Sequence, residues 1–263
     1  IVHGASSSGA SLYLEPLGTV EINNDIVGLE EEEAEEVRRI LLALTDAFRV
    51  RSDDVSSTSN AATELDVVQG RARLAEKLQG IEADISLDGT FELRSARHPL
   101  LVLRGSGTVV PVDILLIPPA RILVIAGPNT GGKTVALKTA GLLALMAQAG
   151  LHIPVEHGSR LPVFGSVFAD IGDDQSIAAS LSTFSAHITN VVSMDRDLRL
   201  PCLVLLDEVG AGTDPVEGGA LGMAVIDHFR RRGSHLVATT HYEALQSYAT
   251  TTDGVVGAAF GFS

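Results

Sequence analysis

Arg121-Ile-Leu-Val-Ile-Ala-Gly-Pro-Asn-Thr-Gly-Gly-Lys-Thr134 is the stretch that decides the reading of this chain. Ile122 to Ile125 are consecutive large apolar residues, the pattern of a parallel strand buried on both faces. Gly127, Pro128, Asn129, Thr130, Gly131, Gly132, Lys133 and Thr134 then match the phosphate-binding pattern G-x-x-x-x-G-K-[ST] at every fixed position. Glycine allows backbone N–H groups to close around phosphate oxygens, because no Cβ intervenes. In such a loop Lys133 reaches the β- and γ-phosphates and the Thr134 hydroxyl ligates Mg²⁺. Val135 to Ala149 has helical spacing and few breakers, so a helix N-terminus faces the anion. Gly-rich turns also join strands to helices without any nucleotide, but the full octapeptide in this context favours a nucleotide site.

Downstream, Val163 to Ile171 reads as a strand, followed by the polar stretch Gly172-Asp-Asp-Gln175-Ser and a predicted helix from Phe184 to Met194. Leu203-Val-Leu-Leu206 is a second buried strand and ends in Asp207-Glu208. An acid in that place can cap a loop; beside a complete phosphate loop it is the expected Mg²⁺ carboxylate. Glu208, its neighbour, is the candidate to orient or deprotonate an attacking water. Pro215 to Arg232 forms a long predicted helix, with Glu217 in its first turn and Arg230 to Arg232 in its last, both favourable to the helix dipole. Leu236 to Thr239 is a third strand, and His241 just beyond it is placed to reach a γ-phosphate from the carboxyl edge of the sheet. A structural role for His241 stays equally open. Gln175 is a further candidate to sense metal or water, although turn polarity alone accounts for it. Ser182-Thr183 reads first as a helix N-cap; the N–H groups of such a cap also suit a phosphate supplied by a second copy. Strands alternating with helices imply an α/β fold: a mostly parallel sheet with helices on both faces.

Upstream, Phe91 to Leu93, Leu100 to Leu103 and Val112 to Ile117 are read as strands. Residues Ile1 to Leu17 alternate weakly and predict a short hairpin. Val37, Ile40, Leu41, Leu44 and Phe48 share one face of a helical period. The acidic run from Glu30 to Glu36, broken only by Ala34, is accounted for by a solvated helix surface. Ser52 to Ser59 reads as a polar turn or loop, and Leu65, Val68, Ala72, Ala75 and Leu78 as one side of a second helix. The expectation is an antiparallel helical pair, serving either as a lever or as passive packing. It belongs to an N-terminal segment, 1–85, preceding the nucleotide domain, 86–263.

Composition narrows the function classes. Hydrophobic residues make up 45% of the chain, enough for a sizeable core, and no apolar run is long enough to span a bilayer. The net charge is −14, with 33 acidic and 19 basic residues, which argues against this segment as the main surface for a polyanion. With no Trp and 4% aromatic residues, platforms for stacking bases are scarce. The single Cys202 cannot form an internal disulfide, which fits a reducing cytoplasm. The chain starts without Met and stops within an apolar run, so it is expected to be a fragment.

Taken together, Gly127–Thr134, Ser182-Thr-Phe184, Asp207-Glu-Val-Gly-Ala-Gly-Thr-Asp-Pro215 and Thr239-Thr-His-Tyr242 stand in the order of the MutS ATPase domain. Leu181-Ser-Thr-Phe-Ser-Ala-His187, Gly150-Leu-His-Ile-Pro154 and the stretch Ile1 to Pro16 resemble the type-two MutS branch rather than the mismatch-recognising branch. The resemblance covers nearly the whole chain. It implies a P-loop NTPase of ABC type that hydrolyses ATP with Mg²⁺ and dimerises head to tail. Lys133 and Thr134 would then hold phosphate and Mg²⁺, Asp207 the metal and Glu208 the water. Asn129 would lie near the nucleotide, His241 near the γ-phosphate, and Ser182 on the partner subunit's nucleotide. The helices over 20–79 would be the root of a lever to nucleic-acid-binding parts. Val109 stands where mismatch-repair relatives place an aromatic residue against adenine. Full-length members of this branch resemble clamps on branched DNA or factors acting on ribosomes, so a homodimer and a nucleic acid are the implied partners, with no membrane. Competing readings are a nucleotide-bound dimerisation module with negligible turnover, and another ABC-type ATPase. Transporter subunits are disfavoured because Ser182-Thr-Phe replaces their Leu-Ser-Gly-Gly-Gln type of signature.

Overall fold

A computed structural model describes residues 2–5, 7–8, 10, 12–14, 16–105, 107–128, 132–172 and 180–259. The chain divides into two compact units, Ile1–Val68 and Gln69–Ser263. Among the described residues no helix is long and apolar enough to cross a membrane.

In the first unit β1 (Val2–Ala5) pairs antiparallel with β2 (Leu12–Leu14), and α1 (Leu17–Val50) follows. A single non-helical residue, Arg51, separates it from α2 (Ser52–Leu78), which continues into the second unit. The polar loop expected over Ser52 to Ser59 is therefore helix. Asp53 and Asp54 lie in its first turn, where carboxylates complement the dipole. Within the segment the Thr58 hydroxyl bonds inside the helix, to the Asp54 carbonyl at 2.7 Å, and just beyond it Thr63 bonds to the Ser59 carbonyl at 2.9 Å. The helical faces themselves are as the periodicity predicts, but they are not buried against each other. Leu44 is 52% exposed, Phe48 61% and Leu65 71%. The α1 stripe lines an open groove with the start of α2, through Leu44, Phe48 and Val55, whereas the α2 stripe ends on Leu78, which is fully buried in the core of the second unit.

The second unit holds two sheets. The smaller is built from β3 (Asp84–Ile85), β4 (Phe91–Ala96), β5 (Val112–Leu116) and β7 (Arg160–Leu161), in the order β3-β7-β4-β5. Between β4 and β5 the strand expected at Leu100 to Leu103 is instead α3 (Pro99–Arg104). Proline at the first helical position, after an extended His98, starts it, and Gly105 in the left-handed region ends it. The larger sheet contains β6 (Ile122–Ala126), β8 (Ser166–Asp170), β9 (Cys202–Leu206), β10 (His235–Thr240) and β11 (Val255–Ala259). Its order is β11-β6-β10-β9-β8, and every pairing is parallel.

Helices cover both faces of this sheet, as its apolar strands require. Leu123, Ile125, Leu203, Leu205 and Val237 point into one core. There they meet α4 (Lys133–Gln148), through Leu137, Ala140 and Leu143, and the smaller sheet, through Phe91, Leu93 and Leu116. The alternate residues Ile122, Val124, Val204, Leu206, Leu236 and Ala238 point into the other core. That core is closed by Ile226 and Phe229 of α6 (Pro215–Arg231), Leu245 and Ala249 of α7 (Glu243–Thr251), and Met194 of α5 (Ser180–Asp197).

One polar residue in this framework carries a pH signature. His235 is 1% exposed at the start of β10; its Nε2–H donates to the Gly89 carbonyl at 2.6 Å, and its Nδ1 has no partner among the described residues. Burial pushes its pKa down; the Gly89 bond opposes this and the Arg121 cation adds to it. A folded pKa below the unfolded value of about 6.5 means that the unfolded chain takes up the proton first. Stability from a neutral His235 is therefore full above about pH 6.5 and is lost as pH falls toward its folded pKa. The urea midpoint is expected to fall on acidification through that window, and less steeply in His235→Gln. An equal slope in the variant would exclude His235 as a source.

Candidate functional site

The parallel register brings the carboxyl ends of four strands to one edge. Ala126 pairs with Thr240, Ala238 with Leu206, and Leu206 with Asp170. Strand ends of an open parallel sheet are where ligands bind in such folds, because the following loops diverge there. Gly127 leaves β6 with φ 138°, and Gly132 precedes α4 in the left-handed region at φ 84°. The N-cap of α4 is Gly132, which offers no side chain of its own to the first helical N–H groups. Lys133, 2% exposed, folds back so that Nζ donates to the Gly127 carbonyl at 2.5 Å. Thr134 is half-buried beside it in the first turn of α4. A buried ammonium beside a helix N-terminus on one loop forms an anion-binding arrangement.

Two strands away, past β10, lies the Asp207-Glu208 turn, which at ordinary strand spacing puts the two groups roughly 10 Å apart across the edge. Asp207 is 9% exposed, and its N–H donates to the Asp170 carbonyl at 2.9 Å. Glu208 is half-buried and takes φ 48°, a left-handed conformation that side chains other than glycine adopt at a cost. The turn is held by β10. The Thr239 hydroxyl donates to Asp207 Oδ1 and accepts the Glu208 N–H at 2.8 Å, while the Thr239 carbonyl accepts the Val209 N–H at 3.1 Å. His241 follows β10, exposed, with its ring 4.2 Å from that of Tyr242. Tyr242 donates to the Gly210 carbonyl at 3.3 Å; burial, then the Glu208 and Asp214 carboxylates, push its phenol pKa up.

Beyond Asp207, Asp170 ties α5 to the same edge. Its carboxylate meets His187 Nδ1 at 2.5 Å and accepts from Asn190 Nδ2 at 2.9 Å. The helix expected to begin near Phe184 begins at Ser180, which puts Ser182 within the first turn of α5 rather than at its cap. Asn129, Thr130, Gly131 and Gln175, which the sequence reading also assigns to the site, lie outside the described residues.

The edge thus gathers Lys133, Thr134, Asp207, Glu208 and His241. Reading the sequence did not single out Thr239, Asp170 or His187 as partners. Asp170 offered the same signal as Asp207, an acid at the end of an apolar strand. The Thr239 hydroxyl offered none, since a threonine in a strand is ordinary β-propensity.

The residues fit a magnesium–nucleotide group. Thr134 and Asp207 are hard oxygen donors, and Mg²⁺ is commonly held by one or two protein oxygens together with substrate phosphates rather than by a full protein cage. Among the described residues no cluster of three or more His, Cys, Asp or Glu could hold a metal ion. When bound, Mg²⁺ would neutralise charge on the phosphates.

A family model described as MutS domain V matches residues 123–260. Over 262 residues the chain is 48% identical to Endonuclease MutS2 of Symbiobacterium thermophilum, which covers all of this chain and 32% of that protein. It is 44% identical to Endonuclease MutS2 of Alkaliphilus metalliredigens and 48% identical to that of Brevibacillus brevis, covering 33% of each. The chain spans about a third of the length of these relatives. The family match runs from β6 to β11 and so takes in every strand of the parallel sheet and the whole edge just described: the chain belongs to the MutS domain V family.

Proposed function

We propose that this chain is the ATP-binding and ATP-hydrolysing part of a MutS2-type protein, a P-loop ATPase of the ABC class. The observation that carries the reading is the convergence, on one sheet edge, of a buried lysine at a helix N-terminus with the Asp207-Glu208 turn. In this reading residues Gly127 to Thr134 wrap the phosphates and Lys133 exchanges its carbonyl partner for phosphate oxygens. Thr134 and Asp207 hold Mg²⁺, with Gln175 a further contact to it. Glu208 accepts a proton from, or orients, the water that attacks the γ-phosphorus, and His241 approaches the γ-phosphate from β10. The Asp-Glu pair favours water as acceptor over a small-molecule hydroxyl.

The dimer belongs to the same proposal. Ser182, in the first turn of α5, serves the nucleotide of a second copy, so two chains close over two nucleotides and the closure gates a grip on branched DNA or ribosomes by regions outside this chain. The net charge of −14 supports assigning that grip elsewhere. Mixing a Ser182→Ala chain with a Lys133→Ala chain tests the shared site. Each alone lacks an intact site, whereas half the sites of a mixed dimer combine a good Lys133 with a good Ser182. Turnover above both parents is expected; a mixture no better than either parent excludes sharing. ATP-dependent dimerisation in sedimentation without any hydrolysis would favour a non-hydrolysing dimerisation module instead.

A further inference from the structure

We propose that Thr239 is a positioning residue for both carboxylates of the site. This inference rests on the nucleotide reading above and extends it to the residue that arms the Asp207-Glu208 turn.

The geometry is specific to this side chain. Thr239 is fully buried in β10, between the strand that leads to the phosphate loop and the strand that ends in Asp207. One hydroxyl serves two neighbours at once, donating its proton to Asp207 Oδ1 and accepting the Glu208 N–H. The donated bond selects the orientation of Asp207 that leaves its second oxygen for another ligand. The accepted bond fixes the peptide between Asp207 and Glu208, the peptide that leads into the left-handed turn at φ 48°. A non-glycine residue stays in that region only where its surroundings hold it there. The Thr239 carbonyl adds a third restraint by accepting from Val209, so the turn is clamped on both sides of Glu208.

Valine has the shape of threonine without the hydroxyl. In Thr239→Val the Asp207 carboxylate loses its donor and the Glu208 N–H its acceptor, both within a water-poor interior. A hydrogen bond to a charged group is worth enough that losing it shifts an equilibrium by about tenfold. The loss falls on the metal carboxylate and on the water carboxylate. The phosphate loop, which hangs from β6, keeps its own contacts.

The test is titration of the chain with a fluorescent ATP analogue, in EDTA and in Mg²⁺, together with hydrolysis measured against Mg²⁺ concentration. Thr239→Val is expected to bind metal-free nucleotide within about twofold of the parent chain, since Lys133 is untouched. It is expected to need about tenfold more Mg²⁺ for the metal-dependent gain in affinity, with turnover reduced at least as much. Thr239→Ser, which keeps the hydroxyl, is expected to restore both. If the valine chain does not fold, as judged by its unfolding midpoint, Thr239→Ala with room for a water replaces it and must show the same Mg²⁺ shift. An unshifted Mg²⁺ requirement in the hydroxyl-free variant, or a serine variant as impaired as valine, overturns the role of Thr239 alone. A parent chain that binds no nucleotide in either condition overturns the nucleotide reading and this role together.

Discussion

Glu208→Gln is expected to reduce ATP turnover by about 10²–10⁴-fold, the range lost when a positioned general base is removed. The substitution keeps the size of the side chain and takes away its negative charge and proton affinity. Nucleotide binding is expected to persist, because the phosphate-binding loop and Asp207 are unaltered, so the variant should hold ATP rather than lose it. Steady-state hydrolysis measured beside equilibrium binding separates the two effects. Turnover equal to the parent removes Glu208 from the chemistry. The backbone adds its own argument for this residue. At φ 48° Glu208 occupies a conformation that glycine would adopt with less strain, and such strain persists where the surrounding bonds over-determine it. Thr239 and the Gly210 segment supply those bonds.

Gly218→Ala is expected to destabilise the chain by about 3 kcal/mol, the upper end of the range for overpacking, and to lower turnover with it. Gly218 lies in the first turns of α6, where that helix crosses the loop after Glu208. A Cβ there would stand 2.3 Å from the Gly210 carbonyl oxygen and 3.0 Å from the Tyr242 hydroxyl. Alanine is the better helix former by about 1 kcal/mol, which opposes the loss. The clash is with backbone, so it cannot be relieved by a rotamer change, and it wins. Relief requires the 208–211 turn to move, which carries Glu208 off its position. A thermal or urea unfolding curve measures the first effect and kcat the second. A variant as stable as the parent would mean that α6 can slide on this loop.

Much of the fold was legible because its signals are local. The strand β6, the loop after it and the start of α4 are contiguous in sequence, and an apolar run followed by a Gly-rich turn and a helical period has few other solutions. Both α6 and β10 were legible for the same reason, with Asp214 capping α6 by accepting from the Val216 N–H at 2.9 Å. Where local signals conflict, the reading failed. Ser52 to Ser59 is rich in residues that favour turns, yet the Thr58 hydroxyl bonds to the carbonyl one turn back and the helix continues. Leu100 to Leu103 is apolar enough for a strand, but Pro99 and Gly105 bracket a single short helix. Periodicity put Val37, Ile40, Leu41, Leu44 and Phe48 on one face of a helix, and it says which residues share a face without saying what covers it; all five are exposed.

The sequence by itself determined that a phosphate-binding pattern sits between a buried strand and a helix, and that acids end a later strand. These are facts about neighbours along the chain. Only the tertiary structure decided that β10 lies between β6 and β9, because parallel strand order is set by non-local packing and is not written in any one segment. That order puts Thr239 of β10 against Asp207 and Glu208 beyond β9. Thr239 lies 32 positions from Asp207 and 31 from Glu208 in sequence, and the three get their meaning from contacts of a few ångströms.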